Sequence, residues 1–198
     1  MLGLVYLFIG SIYLALSVWV VLTAMREAQK RAIAKWKWGV PAGVVMYLLV
    51  FWDHIPTVVV HQYYCHKEAG FAVYKTLEEW KRENPGVAET LTYEDKVRSE
   101  IKGNKTIYYM NERFDFVVFR LPVFLSIKRH KQQVVDKLNN DILAEYIDFS
   151  SGGGFQNANS LTDYKLWLAI NTCDKGRKNR TLFQQFKNIL IKSGGKES

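Results

Sequence analysis

The chain has 198 residues, with 27 Lys and Arg against 19 Asp and Glu, a formal charge of +8. That length accommodates one ordinary domain and a smaller element, and the basic excess comes with no recognised nucleic-acid-binding motif, so nucleic acid is not expected as a partner. A mean hydropathy of -0.12 looks soluble, but the average conceals a strong asymmetry along the chain.

Leu2 to Ala24, LGLVYLFIGSIYLALSVWVVLTA, is 23 residues without a charge. As a helix it reaches about 34 Å, enough for a hydrocarbon core of about 30 Å. A signal peptide would carry positive charge before a shorter apolar core, with a small-residue cleavage site after it. Here the charge follows the run, as Arg26, Lys30, Arg31, Lys35 and Lys37 against Glu27 alone. The segment is therefore expected to be an uncleaved anchor.

A second apolar run, WGVPAGVVMYLLVFW from Trp38 to Trp52, is short for a span and reaches adequate length only when read on to Val60. Spans over 2–24 and 38–60, joined by the basic loop 25–37, are expected to form a transmembrane hairpin. The positive-inside rule makes that loop cytoplasmic and puts the N-terminus and everything after residue 60 on the far side. Trp36 and Trp38 mark one boundary, and Trp52, Tyr63 and Tyr64 the other. Gly39-x-x-x-Gly43 and Ser11-x-x-x-Ala15 are small-residue spacings that permit close helix contact or self-association.

FWDHIPTVVVHQYYCHKEAG follows, from Phe51 to Gly70. Pro56 lacks a backbone donor and disfavours helical geometry at Ile55, so a straight helix through this point is not expected. Asp53 is placed to cap a helix restarting after the break and running to Ala69, with Gly70 suited to its C-terminal position. The first unit is thus read as residues 1–70, a hairpin with a helical stalk. Asp53 and His54 raise a second possibility, an ionisable site or proton relay at the outer membrane face. His54, Val58, His61, Cys65 and Glu68 share one helical face, and His61 and Cys65 have the i, i+4 spacing of metal ligands. The competing role of Cys65 is a disulfide with Cys173, the only other cysteine, in a compartment where disulfides persist. The disulfide is favoured, and the two roles exclude one another.

Residues 71–192 read as an α+β domain with two or so helices on a small antiparallel sheet. Phe71 to Thr76 is a short strand candidate, and Thr76-Leu-Glu-Glu79 matches a capping box opening a helix that ends before Pro85-Gly86. After a polar stretch, Thr106–Met110 and Phe114–Arg120 are β-rich runs across an Asn-Glu-Arg turn, with Pro122 interrupting the second. LSIKRHKQQVVDKL and DILAEYIDF flank Asn139-Asn140, residues that accept the positive φ of a tight turn. SSGGGFQNAN, from Ser150 to Asn159, is a glycine-rich loop without the Lys-Ser/Thr of a phosphate-binding loop. DYKLWLAINTC is expected to be a strand or short helix, and GRKNR a basic turn. TLFQQFKNILIK spaces Leu182, Phe186, Ile189 and Leu190 as an amphipathic helix. Residues 193–198 are expected to be a disordered tail.

Residues 66–198 carry 22 Lys and Arg against 17 Asp and Glu, a mild excess suited to anionic headgroups. No Gly-x-Ser-x-Gly, His-Glu-x-x-His or Cys-x-x-Cys pattern occurs, and Glu78/Glu79 and Glu94/Asp95 sit in charge-mixed surroundings. Asn104 and Asn179 open Asn-x-Thr sequons, which carry no weight here. No catalytic residue and no cofactor is expected.

Trp52-Asp53-x-Ile55-Pro56, Cys65-x-x-Glu68-Ala69-Gly70, Val73-Tyr74-Lys75-Thr76, and Leu143-Ala144-Glu145-Tyr146 before Phe149-Ser150-Ser151-Gly152 carry a resemblance. Over residues 36 to 175 the pattern resembles a family of small uncharacterised bacterial membrane proteins with two N-terminal spans and a periplasmic domain. The resemblance implies a bacterial inner-membrane setting and transfers no active site. The expected function is a non-catalytic inner-membrane protein that presents a periplasmic interaction domain. Its expected partners are the lipid bilayer and another envelope protein, or a second copy through the hairpin. The alternative is a membrane-associated enzyme, or a metal- or proton-handling protein, using Asp53, His54, His61 and Glu68.

Overall fold

The computed structural model describes residues 2–91, 97–152, 165–174 and 177–192. They divide into two compact units, Met1–Ile55 and Pro56–Ser198.

The first unit is a pair of helices, α1 (Leu2–Lys30) and α2 (Trp36–Phe51). Within α1, Leu7–Lys30 is long and apolar enough to cross a membrane, and its apolar window is unburied. Leu7, Phe8, Leu14 and Trp19 on α1 and Val40, Val45 and Leu49 on α2 all point outward. Ala32 adopts a left-handed φ of 55° and ends α1: the Ile33 and Ala32 N–H groups donate back to the Ala28 and Gln29 carbonyls at 2.9 and 3.1 Å. That arrangement satisfies carbonyls the helix leaves open, with alanine in the place glycine usually takes.

The helices touch where small residues allow it. The Tyr13 hydroxyl donates to the Met46 carbonyl. A Cβ on Gly39 would stand 2.8 Å from Met25 Cγ, inside contact distance, whereas one on Gly43 would meet only Val21 Cγ2 at 3.9 Å. Ser11 and Ala15 are exposed, and the Ser11 hydroxyl donates to its own helix at Leu7 O, 2.7 Å away.

The expected second span over 38–60 does not form as one helix. α2 stops at Phe51 after 16 residues, about 24 Å, and a separate helix, α3 (His54–Lys67), begins beyond Trp52 and Asp53. Pro56 falls in the first turn of α3, where a missing N–H is tolerated. Among the described residues one helix, α1, has the length and apolarity of a span by itself. The division between units falls at Ile55/Pro56 rather than at Gly70, because α3 packs on the sheet instead of standing clear as a stalk.

The second unit is built on a six-stranded, wholly antiparallel sheet in the order β1-β6-β5-β4-β3-β2. The strands are β1 (Gly70–Val73), β2 (Arg98–Lys102), β3 (Lys105–Tyr109), β4 (Phe114–Phe124), β5 (Ile127–Asp136) and β6 (Ile142–Ser151). β2 to β6 form a meander, and β1 closes the far edge against β6 with Phe71 opposite Tyr146. β2 lies in the stretch read as polar loop; Gly103, at φ 58°, turns it into β3. Pro122 does not end β4, but the register against β5 shifts between Pro122 and Phe124. β3 pairs with β4 only as far as Phe119, so at Pro122 that side of the strand is an edge where no donor is required. Asn140, at φ 56°, makes the turn from β5 to β6.

Alternation along the strands gives the sheet two faces. Phe71, Phe114, Phe116, Val134, Ala144 and Tyr146 lie on one. Covering them are α4 (Leu77–Glu83), the short α5 (Val87–Thr90) and α6 (Lys178–Lys192), which contribute Trp80, Ala88, Phe183 and Leu190 to one core. Phe183 sits among the rings of Phe71, Phe116 and Tyr146. The capping box forms as expected: Glu79 N donates to Thr76 Oγ1, and the Glu79 carboxylate accepts from Thr76 N. α6 begins at Lys178, so Lys178 to Arg180 of the expected basic turn are helical.

Under this core lies the buried carboxylate of Asp136, 1% exposed. It accepts from Trp80 Nε1 at 2.8 Å and from Leu138 N at 2.9 Å, and Arg113 Nε lies 2.7 Å away. A carboxylate survives such burial only because each face meets a donor or a cation.

Leu166–Leu168 is a single 3-10 turn, followed by a bridge between Ile170 and Ser151. The glycine-rich loop beyond Gly152, the Glu94/Asp95 pair and the tail 193–198 lie outside the described residues.

Candidate functional site

The opposite face of the sheet carries Phe149, and α3 packs there. The Tyr64 and Phe149 rings stack with centroids 5.1 Å apart, and Glu68 pairs with Arg129 at 3.2 Å. The i, i+4 spacing of His61 and Cys65 turns both side chains toward β6. His61 is buried, and its Nε2 lies 3.2 Å from the Phe149 carbonyl oxygen. A carbonyl only accepts, so Nε2 is the donor in this contact.

Cys173 arrives from the other direction. The segment after the 3-10 turn pairs with β6 through Ile170, and the Cys173 N–H donates to Asp148 Oδ1 at 2.9 Å. Cys65 and Cys173 form a disulfide with a Cα–Cα distance of 5.2 Å. It joins α3 to a segment 108 positions later in the chain.

Asp148 is the residue that holds this corner. Its carboxylate also accepts from Phe149 N at 2.8 Å and from the Tyr146 hydroxyl at 2.9 Å. Burial, reinforced by that carboxylate, pushes the Tyr146 phenol well above the usual range, so it stays a donor. Sequence reasoning could note Asp148 only as one acid on a hairpin, because its partners come from β6 itself and from a segment 25 residues away.

Beside it, His130 Nε2 lies 2.8 Å from Ser150 Oγ across the β5–β6 pair. Burial lowers the His130 pKa below its ordinary value, and the Arg120 cation adds to that effect against the opposing pull of Asp148. Nucleophilic catalysis needs the base to be oriented by a third group. Here the Asp148 oxygens bond Tyr146, Phe149 and Cys173 instead, so the pair reads as a cross-strand contact.

Among the described residues, the one cluster of three or more His, Cys, Asp or Glu placed as metal ligands is His61, Cys65 and Cys173. Cys65 Sγ is 3.6 Å from His61 Nδ1 and 3.8 Å from Nε2. Asp53, His54 and Glu68 are not members. Asp53 is buried at the α2–α3 break, His54 is half-buried at the start of α3, and Glu68 faces Arg129.

Within the first unit, an apolar groove of about 340 Å³ runs between α1 and α2, lined by Tyr13, Val18, Val21, Gly43, Met46 and Tyr47. Comparison with protein-family models, with curated proteins and with solved structures finds no match to this chain.

Proposed function

We propose that the chain is a non-catalytic protein of the bacterial inner membrane that anchors itself by its N-terminal helices and presents the sheet domain on the periplasmic side to another envelope component. The observation that carries this reading is the Cys65–Cys173 disulfide, since such bonds persist in oxidising compartments and not in the cytosol. The exposed apolar surface of α1 and the basic residues between Arg26 and Lys37 support it, for they are what lipid contact and a cytoplasmic turn require. With α2 about 6 Å short of a full span, the second crossing involves local thinning of the bilayer and interfacial Trp36, Trp38 and Trp52. Both the N-terminus and the domain then lie outside the cytoplasm. The α1–α2 groove offers a contact for self-association within the bilayer.

For the partner, the end of the β4–β5 hairpin stands out. Leu121, Phe124 and Leu125 are exposed together there, and Leu125 holds a left-handed φ of 47°. A clustered apolar tip of this kind is a contact surface for a partner with an apolar pocket. The reading is tested by fusing a compartment-sensitive reporter after Ser198 and by labelling thiols in intact cells. A periplasmic reporter and thiols that label only after reduction are expected; a cytosolic reporter or freely labelled cysteines would defeat the proposal.

A further inference from the structure

We infer that His61, Cys65 and Cys173 form a redox-gated site for a thiophilic d10 cation, Zn²⁺ or Cu⁺, latent while the disulfide stands. The three ligand atoms already lie within 4.8 Å of one another. In a tetrahedral zinc site, with bonds of about 2.3 Å to sulfur and about 2.0 Å to nitrogen, neighbouring N and S ligands stand roughly 3.5 Å apart. Cys65 Sγ and His61 Nδ1 are 3.6 Å apart. Two thiolates at such a metal stand roughly 3.8 Å apart, a separation that side-chain rotation supplies once the S–S bond is gone.

The surroundings are those of a prepared ligand set. The Phe149 carbonyl fixes the His61 tautomer through Nε2 and leaves Nδ1 to coordinate, the outer-shell arrangement that metal-binding histidines use. Asp148 holds the Cys173 backbone in place. The Tyr64–Phe149 stack and the Glu68–Arg129 pair keep α3 on the sheet independently of the disulfide. Two thiolates and one imidazole favour Zn²⁺ or Cu⁺ over Mg²⁺ or Ca²⁺, which prefer oxygen.

The chemistry balances with a dithiol as reductant. Exchange with it breaks the Cys65–Cys173 bond and delivers two electrons and two protons, leaving two protein thiols and the reductant as a disulfide. Binding of the metal then releases both thiol protons as the metal–sulfur bonds form. Exchange with a disulfide oxidant, which takes up the two electrons and leaves as a dithiol, reforms the Cys65–Cys173 bond and expels the cation.

The test uses the full chain in detergent micelles, oxidised or reduced by a phosphine, titrated with Co²⁺ as the coloured stand-in for Zn²⁺ and, in a separate arm, with Cu⁺. Expected are one Co²⁺ per reduced chain with a thiolate-to-cobalt charge-transfer band, displacement by Zn²⁺, and no uptake by the oxidised chain. His61→Ala and His61→Asn are expected to weaken binding at least tenfold, and Cys173→Ser to abolish the band, with far-ultraviolet circular dichroism unchanged. Tighter uptake of Cu⁺ identifies the monovalent cation as the ligand. The inference is overturned if the reduced chain takes up neither metal, if both His61 variants bind like the wild type, if the oxidised chain binds equally, or if reduction alone unfolds the domain.

Discussion

Asp136→Ala tests the account of the core most directly. The substitution removes the acceptor for Trp80 Nε1 and Leu138 N and the counter-charge 2.7 Å from Arg113 Nε. Hydrogen bonds to a charged group contribute about 1.5 to 3 kcal/mol each, and removing one partner of a buried ion pair costs about 3 to 5 kcal/mol. These losses overlap, since all pass through one carboxylate, and Arg113 keeps Asn84 Oδ1 at 2.8 Å. The expected loss is about 4 kcal/mol, near 15 °C in Tm at roughly 4 °C per kcal/mol. Asp136→Asn retains an acceptor oxygen and should lose about half as much. Urea unfolding of the full chain in micelles, followed by far-ultraviolet circular dichroism, measures both, and combining Asp136→Asn with Trp80→Phe should reveal a coupling of about 1 kcal/mol. If Asp136→Ala loses less than about 1 kcal/mol with an unchanged denaturant slope, the carboxylate is not the hub described.

His130 gives the domain a pH dependence. Its folded pKa is lowered, so in the window just below 6.5 the unfolded chain binds more protons and stability rises with pH, reaching its full value above 6.5. Tm measured between pH 5 and 7 should rise across that window by less in His130→Gln than in the wild type; equal slopes would remove His130 as the cause. In the helical pair, Gly39→Val should separate α1 from α2 and lower the melting temperature in micelles, whereas Gly43→Val, where a Cβ meets only Val21 Cγ2 at an ordinary contact distance of 3.9 Å, should change it less. Equal effects at the two positions would contradict the packing. Phe124→Asp at the hairpin tip should reduce crosslinked partner recovery at least tenfold from membranes with Tm unchanged, and full recovery would move the contact elsewhere.

What could be read from the sequence follows from the range of the interactions involved. α1 was legible because an uncharged run of that length satisfies few structures other than a span. The Thr76–Glu79 cap, the Asn140 turn and the start of α3 near Pro56 depend on neighbours within four residues, and all lie where local chemistry puts them. The Cys65–Cys173 disulfide was accessible because the chain offers no other pairing. The extent of the second span misled because apolar content from Val58 to Val60 serves a helix packed on the sheet equally well. β2 was missed since Arg98–Lys102 is an edge strand whose side chains are mostly exposed, leaving no apolar alternation to detect. Asp136 and Asp148 stayed invisible as hubs because one donor to each is distant, Trp80 lying 56 residues upstream of the first and Cys173 25 downstream of the second.

The separation of 108 positions between the two cysteines sets a timetable for biogenesis. A ribosome adding about 5 to 20 residues per second needs roughly 5 to 20 s to travel from one to the other. β1 waits over about two thirds of that interval, since its neighbour β6 is made about 70 residues after it. During that delay Cys65 travels alone as a thiol on a nascent helix, open to any oxidant or foreign cysteine it meets.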